Sequence, residues 1–344
     1  MASHRRSAPS DRFGGLGRGA RVTVLSAAAA TAAAALTAAP AGADPAEPAG
    51  TRAKVDKLYA QAERATEAYN KADEKAGKLR KQVDRAKDRL ASGQERINTM
   101  RGKLGTLAGA QYRSGGIDPT LGLMLSESPA GYLEKAATLD RISSRQAGEL
   151  AGLQEAQRAL AQERDEARRK LTQLEEARTT VAKQKRIVTK KLAEARRLLN
   201  SLPGAERAAY DRASRSGRDG LPPLTGAPAS SRAAAAIAAA RQAVGRPYVW
   251  GANGPNGFDC SGLTQWAYSQ AGVGLPRTSQ AQRYAGRQVS LAEAQPGDLV
   301  AYRDDASHIG MYMGNGQVVH APYPGAPVRY DPVGMMPVSS VTRV

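Results

Sequence analysis

Residues 258–263 read Phe-Asp-Cys-Ser-Gly-Leu and contain Cys260, the only cysteine in a chain of 344 residues. A loop rich in Gly, Asn and Pro precedes this stretch and a helical pattern over 263–270 follows it, which predicts Cys260 at a helix N-terminus. The helix dipole and the unpaired N–H groups there favour a thiolate and are placed to hold a developing oxyanion. A structural cysteine is usually a small buried hydrophobe, but the polar flanks of Cys260 favour a nucleophile.

Two histidines supply the groups that such a nucleophile needs. His308 and His320 flank one predicted hairpin, with strands over 309–313 and 318–321 and the turn Gly314-Asn315-Gly316. A three-residue loop with a bulge would put both side chains on one face, and a two-residue Asn-Gly loop would put them on opposite faces; the second glycine favours the first. A thiolate needs a base, and the base needs an orienting partner. Cys260, His308 and His320 are therefore the predicted catalytic residues; two ordinary histidines are the alternative.

Composition excludes several other classes of protein. One cysteine rules out an internal disulfide framework and a cysteine-cluster zinc site, and one Cys with two His lacks an evident further metal ligand. No metal or cofactor is therefore expected. With 24% charged residues the chain is too polar for a multispanning membrane protein. The net charge of +18 predicts polyanionic surroundings.

The N-terminus has the pattern of an export signal. Five arginines precede the uncharged, Ala-rich run 22–39, and the small residues Ala41-Gly42-Ala43 follow as a cleavage site. This order predicts a signal peptide over 1–43 and a secreted protein that resides in the cell wall or another extracytoplasmic place. A retained membrane anchor is the alternative, because the uncharged run is nearly long enough to span.

A long coiled coil follows. Apolar residues recur every three and four positions over 51–200, interrupted by Ser114-Gly115-Gly116 and the apolar stretch 121–125, and restarted after Ser128-Pro129. Two matched helices joined by a break predict an antiparallel hairpin. The excess of Lys and Arg on it is either a solvated face or a surface for anionic wall polymer or lipid headgroups; nucleic acid is not expected, because no binding motif appears. Residues 201–231, rich in Pro and Gly, are predicted to be a semi-flexible linker.

The C-terminal region, 232–344, resembles the NlpC/P60 family of cell-wall cysteine peptidases. The resemblance rests on six segments: 246–251 (Arg-Pro-Tyr-Val-Trp-Gly), 258–263, 275–279 (Leu-Pro-Arg-Thr-Ser), 296–300 (Pro-Gly-Asp-Leu-Val), 307–312 (Ser-His-Ile-Gly-Met-Tyr) and 314–322.

The resemblance implies a papain-like α+β domain, in which a helix bearing the cysteine packs on an antiparallel sheet bearing the histidines. It implies Cys260 as nucleophile, His308 as base and His320 as the residue that orients the base. Tyr248 matches a site-lining tyrosine, and Asp259 and Ser261 match positions near the amine end of the substrate. The implied reaction is hydrolysis of an amide in peptidoglycan stem peptides, usually the bond from D-γ-glutamate to diaminopimelate. An amidase or acyl transferase on the same fold, and a wall-binding scaffold without catalysis, remain alternatives.

The hairpin also resembles the coiled-coil regulators attached to bacterial wall hydrolases, in which the coil docks onto a membrane activator. This implies a membrane-anchored partner at the tip, where Leu121, Leu123, Met124 and Leu125 would otherwise meet solvent. Because a wall hydrolase needs restraint, we also expect the hairpin to fold back and cover the Cys260 cleft until that partner binds.

Overall fold

The computed structural model describes residues 48–113, 121, 124, 128–215 and 226–344. The predicted signal peptide lies outside the described residues, as do Leu123 and Leu125 of the predicted hairpin tip. Within the described ranges, no helix is both long enough and apolar enough to cross a membrane.

Two long helices form the predicted antiparallel hairpin. Helix α1 covers Pro48–Arg113 and helix α2 covers Pro129–Ser201, so the arms are about 100 and 110 Å long at a rise of ~1.5 Å per residue. The Ser128 side chain caps α2 by accepting from the Gly131 N–H, and Pro129 takes the first helical turn. Three apolar clusters close the seam: Val55, Leu58, Ala62 and Ala65 with Val188, Leu192 and Ala195; Ala76, Leu79 and Val83 with Leu174 and Ala177; and Ile97 with Leu153 and Leu160.

Part of the predicted linker is helical. Helix α3 covers Gly204–Arg215, and Tyr210 on it packs against the first of these clusters, where its hydroxyl donates to Asp56 at 3.4 Å. The Pro and Gly residues of 201–231 therefore bracket a short helix that folds back on the coil, because Tyr210 supplies an apolar anchor that composition alone did not reveal.

The C-terminal region is an α+β domain, as predicted. Its helices are α4 (Ser231–Gln242), α5 (Cys260–Gln270) and the single turn α6 (Ser279–Gln282). Its strands form one antiparallel sheet in the order β1-β6-β2-β3-β4-β5. The strand bounds are β1 Arg287–Val289, β2 Leu299–Tyr302, β3 His308–Gly314, β4 Gln317–His320, β5 Arg329–Pro332 and β6 Val338–Arg343.

The domain has its own hydrophobic core. One face of the sheet packs on α4 and α5 through Ile237, Leu263, Leu299, Ile309 and Met311, among others. The opposite face carries a second cluster that includes Val300, Tyr302, Val318 and Val341. Because the buried members of both clusters lie within 231–344, this domain is expected to fold without the coil.

The β3–β4 hairpin fixes the relation of the two histidines. Gly314 pairs with Gln317 across the turn Asn315-Gly316. A bulge between Tyr312 and Gly314 shifts the register, so that Met311 pairs with Val319. Both turn residues have positive φ, as a two-residue hairpin turn of this type requires. The turn has two residues and not the three that the sequence favoured, but the bulge still places both histidine side chains on one face of the sheet. His308 and His320 therefore lie on the same face, as expected.

Candidate active site

Cys260 is the first residue of α5, which confirms its predicted place at a helix N-terminus. Asp259 is the N-cap, and its Oδ1 accepts from the Gly262 N–H at 2.7 Å. Glycine is needed at 262, since a Cβ there would lie 2.1 Å from the carbonyl oxygen of Ala252. The stretch Asp-Cys-Ser-Gly thus caps the helix, starts it and lets it approach the preceding loop closely.

The two histidines begin a chain of buried polar groups. His308 Nε2 lies 2.7 Å from His320 Nδ1, and His320 Nε2 lies 2.8 Å from Asp331 Oδ2. Arg329 Nε donates to the same Asp331 oxygen at 2.8 Å. Burial lowers the pKa of His320 to about 4, although its hydrogen bond to Asp331 opposes this shift. His320 is therefore neutral near neutral pH.

The residues that the family resemblance placed near the substrate all lie at this site. Tyr248 is buried. Burial, and next to it the neighbouring acidic groups of Cys260 and Asp259, raises the pKa of the Tyr248 hydroxyl well above its usual value, so the hydroxyl stays protonated. Asp259 also binds Arg277 Nη2 at 2.6 Å, and Arg277 Nη1 donates to Ser261 Oγ at 3.0 Å. Arg277, in the matched segment 275–279, is therefore an additional member of the site.

Helix α1 of the coil enters this site. The Glu67 carboxylate accepts from the Cys260 thiol at 3.6 Å, from Ser261 Oγ at 2.7 Å and from the Ser279 N–H at 2.8 Å. Glu67 is 2% exposed and Cys260 is 1% exposed, so the predicted nucleophile is closed to solvent while α1 is docked. Asn70, one turn further along, donates to Asp259 Oδ2 at 3.0 Å.

Glu63, one turn before Glu67, reaches the predicted base. Its Oε1 lies 3.3 Å from His308 Nδ1, and its Oε2 accepts from Arg303 Nη1 at 2.6 Å. Within the described residues, His308 Nδ1 is buried without an aligned hydrogen-bond partner. Among the described residues, the thiol of Cys260 donates to Glu67, and Glu63 occupies the side of His308 on which Nδ1 lies.

Further contacts extend the docked surface on both sides. Tyr59 stacks on Tyr323 with ring centroids 4.7 Å apart, and Tyr69 meets Trp250 edge-on at 5.2 Å. Arg64 Nε pairs with Asp305 at 2.7 Å. We call Tyr59, Glu63, Glu67, Tyr69 and Asn70 the cleft-facing side of α1.

The docked helix changes the charge state of the site. Burial raises the pKa of the Cys260 thiol well above its usual value, and the carboxylates of Glu67, Asp259 and Glu63 add to this effect. The thiolate expected from the helix dipole is therefore not favoured, because desolvation and nearby negative charge outweigh the dipole. Burial and the charge of Asp259 likewise raise the pKa of Glu67 to about 7.

Sequence reasoning missed Glu63, Glu67, Asn70 and Asp331. One sequence feature does mark the cleft-facing side of α1: residues 59–70 contain a single basic residue, Arg64, in a coil otherwise rich in Lys and Arg. A local loss of positive charge on a basic helix indicates a surface that meets something other than solvent or an anion.

Comparison with known proteins agrees with this architecture. The NlpC/P60 family model matches residues 245–341, so the C-terminal part of the chain carries an NlpC/P60 domain. A "Probable endopeptidase" of Corynebacterium glutamicum is 48% identical over 122 residues, which are 36% of this chain and 58% of that protein. The chain thus spans little more than half the length of that relative.

Two solved structures of the family are also similar. The P60 domain of an antigen from M. avium subspecies paratuberculosis is 34% identical, and the match covers 33% of this chain and 93% of that one, with a TM-score of 0.31. The NlpC/p60 domain of the peptidoglycan hydrolase SagA is 35% identical, and the match covers 33% of this chain and 98% of that one, with a TM-score of 0.31.

Proposed function

We propose that this protein is an exported cysteine endopeptidase that cleaves stem peptides of peptidoglycan. The observation that carries the proposal is that one side of α1 contacts both Cys260, at the N-terminus of α5, through Glu67, and His308 through Glu63, while the ring nitrogens of His308 and His320 lie 2.7 Å apart. The names of the relatives, an endopeptidase and a peptidoglycan hydrolase, support this class of reaction and substrate. The bond from D-γ-glutamate to diaminopimelate is the finer proposal, which rests on the family resemblance.

The chemistry follows from the positions of the three groups. His308 Nδ1 takes the proton of Cys260, and the thiolate attacks the carbonyl carbon of the scissile amide. First-turn N–H groups of α5 stabilise the oxyanion. The C–N bond then breaks, the proton on His308 passes to the leaving amine, and a thioester forms. Water, deprotonated by His308, hydrolyses the thioester and restores the thiol.

While α1 is docked, the coil restrains this chemistry. Helix α1 fills the cleft, keeps Cys260 as a thiol through the carboxylate of Glu67, and sets the carboxylate of Glu63 against the basic atom of His308. Each of these contacts blocks a different requirement, namely substrate access, nucleophile ionisation and base availability. We therefore infer that the chain is inactive until α1 leaves the cleft.

For α1 to leave the cleft, a partner must bind the coil, and the hairpin tip is the proposed binding site. Of the four apolar residues predicted there, Leu121 and Met124 are described, and they are 54% and 80% exposed. A membrane-anchored activator that binds these side chains would gain the burial of apolar surface. The coil's excess of basic residues would meanwhile favour the anionic wall around it.

The test is digestion of purified peptidoglycan by residues 226–344, with and without Cys260→Ala, read by mass spectrometry. The proposal predicts new free diaminopimelate amines that depend on Cys260. Release of whole stem peptides from glycan would identify an amidase, and a ligated product would identify an acyl transferase. Wall binding without any Cys260-dependent product would leave a scaffold, and the proposal would be wrong.

A further inference from the structure

We propose that Asp331 is a positioning residue that sets the tautomers of both histidines, so that Nδ1 of His308 is the atom that accepts the proton of Cys260. This inference rests on the proposed function for its catalytic consequence. Its structural content, the tautomer of His320, can be tested without turnover.

The sheet brings the three groups together. Strands β3, β4 and β5 are neighbours, and β4 pairs with β5 in the register Val318↔Asp331 and His320↔Arg329. Asp331 is therefore the diagonal neighbour of His320 on the same face, within reach of a side-chain contact. The distance of 2.8 Å between His320 Nε2 and Asp331 Oδ2 shows that this contact is made.

The hydrogen-bond donors then follow in one direction. An ionised carboxylate only accepts, so the proton of neutral His320 lies on Nε2. His320 Nδ1 then carries a lone pair and, at 2.7 Å, accepts from His308 Nε2–H. With its own proton on Nε2, the neutral His308 of the undocked domain is left with a bare Nδ1, on the side that Glu63 occupies when α1 is docked. A group two side chains away thus fixes which nitrogen of the base is basic.

The state of Asp331 is itself maintained by the structure. Burial opposes its ionisation, but the hydrogen bond from His320 and the charge of Arg329 lower the pKa of Asp331 below its usual value. Arg329 is in turn held over the Tyr323 ring, with its guanidinium carbon 5.7 Å from the centroid. The carboxylate is consequently charged and fixed in place at the pH at which the reaction would run.

The first experiment reads the tautomer directly in the domain of residues 226–344. Long-range ¹H–¹⁵N NMR of the parent should show His320 with a protonated Nε2 and an unprotonated Nδ1. In Asp331→Asn the uncharged amide can offer either its oxygen or its NH₂ group to His320, so the preference for Nε2 should be lost and both tautomers should appear. The surface change Asp304→Asn, which removes a carboxylate from an exposed loop residue, is the control and should leave the pattern as it was. Protonation of His320 Nδ1 in the parent would overturn the inference, independently of any measured activity.

The second experiment measures turnover in the same variants. Asp331→Asn should lower kcat by about 10-fold or more with KM little changed, because part of the base is then held in the wrong tautomer. In a His320→Gln background the same change should cost far less, because a glutamine amide can rotate to suit either partner. A kcat within about threefold of the parent, or an equal loss in both backgrounds, would overturn the positioning role. An inactive parent with the expected NMR pattern would instead count against the proposed function alone.

Discussion

At the scale of single residues, the site is defined by where each proton lies. The Cys260 thiol donates to Glu67, while the basic nitrogen of His308 faces Glu63. A helix N-terminus normally favours a thiolate, but in this site the cysteine is fully buried beside three carboxylates. The same cysteine should therefore behave as two different groups, according to whether α1 is docked.

Alkylation of Cys260 should reveal these two states. In residues 226–344 we expect iodoacetamide to modify Cys260 rapidly near pH 7, because the thiolate is exposed and stabilised by His308 and the helix terminus. In residues 44–344 the modification should be at least ~10-fold slower, since α1 removes access and favours the thiol. Mass spectrometry of timed samples measures both rates. Equal rapid labelling of the two proteins would show that the docked helix does not protect the nucleophile.

The histidines should differ in how much they matter. His308→Ala removes the base, so nearly all activity of the isolated domain should be lost, on the order of 10³-fold or more. His320→Ala should cost less, and His320→Gln or His320→Asn should retain part of the activity, because a polar side chain can still orient His308. Steady-state kinetics on a soluble stem peptide measures these values. Identical losses for all four variants would contradict the assignment of His308 as base and His320 as its orienting partner.

At the scale of elements, α1 has two functions on two sides. Its apolar seam packs on α2, while its cleft-facing side carries buried polar groups that are paired with the domain. Buried charges are costly unless they are hydrogen bonded, so removing one member of these pairs should weaken docking more than it weakens the hairpin.

Substitution of Glu67 should weaken the docking of α1 and so raise the activity of residues 44–344. In residues 44–344, Glu67→Ala removes the contacts to Cys260, Ser261 and Ser279, and we expect cleavage to rise by about 5–100-fold, equivalent to roughly 1–3 kcal/mol of docking. The matched control is Glu74→Ala on the same helix, where the carboxylate pairs with Lys78 at i+4 and with no other residue among those that the structure describes. That variant should leave the rate within about twofold. A Glu67→Ala protein as slow as the parent would show that this contact does not restrain the enzyme.

At the scale of the whole chain, the docking of α1 on the C-terminal domain is expected to depend on pH. The pKa of Glu67 is raised from 4.5 to about 7 in the docked state by burial and Asp259. A raised pKa means that docking retains a proton, so this contribution is complete below pH 4.5 and is lost as pH rises to about 7. The pKa of Glu63 changes in the opposite direction: burial opposes its ionisation, but His308 and Arg303 lower the value overall, so its contribution is lost only as pH falls.

Restraint should therefore depend on pH. We expect the rate of residues 44–344, divided by that of residues 226–344, to increase from pH 5 to pH 7 and then to level off. The division removes the pH dependence of catalysis itself, which both proteins share. Glu67→Gln cannot titrate at this position, so its ratio should increase clearly less over the same range, and the remaining increase would come from Cys260, whose pKa docking also raises. A parent ratio that stays constant from pH 5 to pH 8 would exclude Glu67 as the titrating group.

The local features of this protein can be predicted from its amino-acid sequence. Capping residues and a glycine placed Cys260 at the start of α5, and turn chemistry with strand alternation placed His308 and His320 on one face. Apolar periodicity predicted the hairpin of α1 and α2. These features depend on interactions between near neighbours in the chain or on a repeated pattern, so they can be read without knowing how distant parts meet.

The effect of helix α1 on the predicted catalytic residues depends on contacts between residues that are far apart in the chain. The contact of Glu67 with Cys260 joins residues 193 positions apart, and the contact of Asn70 with Asp259 joins residues 189 apart. No periodicity distinguishes Glu63 or Glu67 from other solvated glutamates of a coil, and Asp331 reaches His320 only through the register of β4 and β5. The sequence thus predicted a nucleophile and its base, and the docking of one helix against one domain places a carboxylate against each of them.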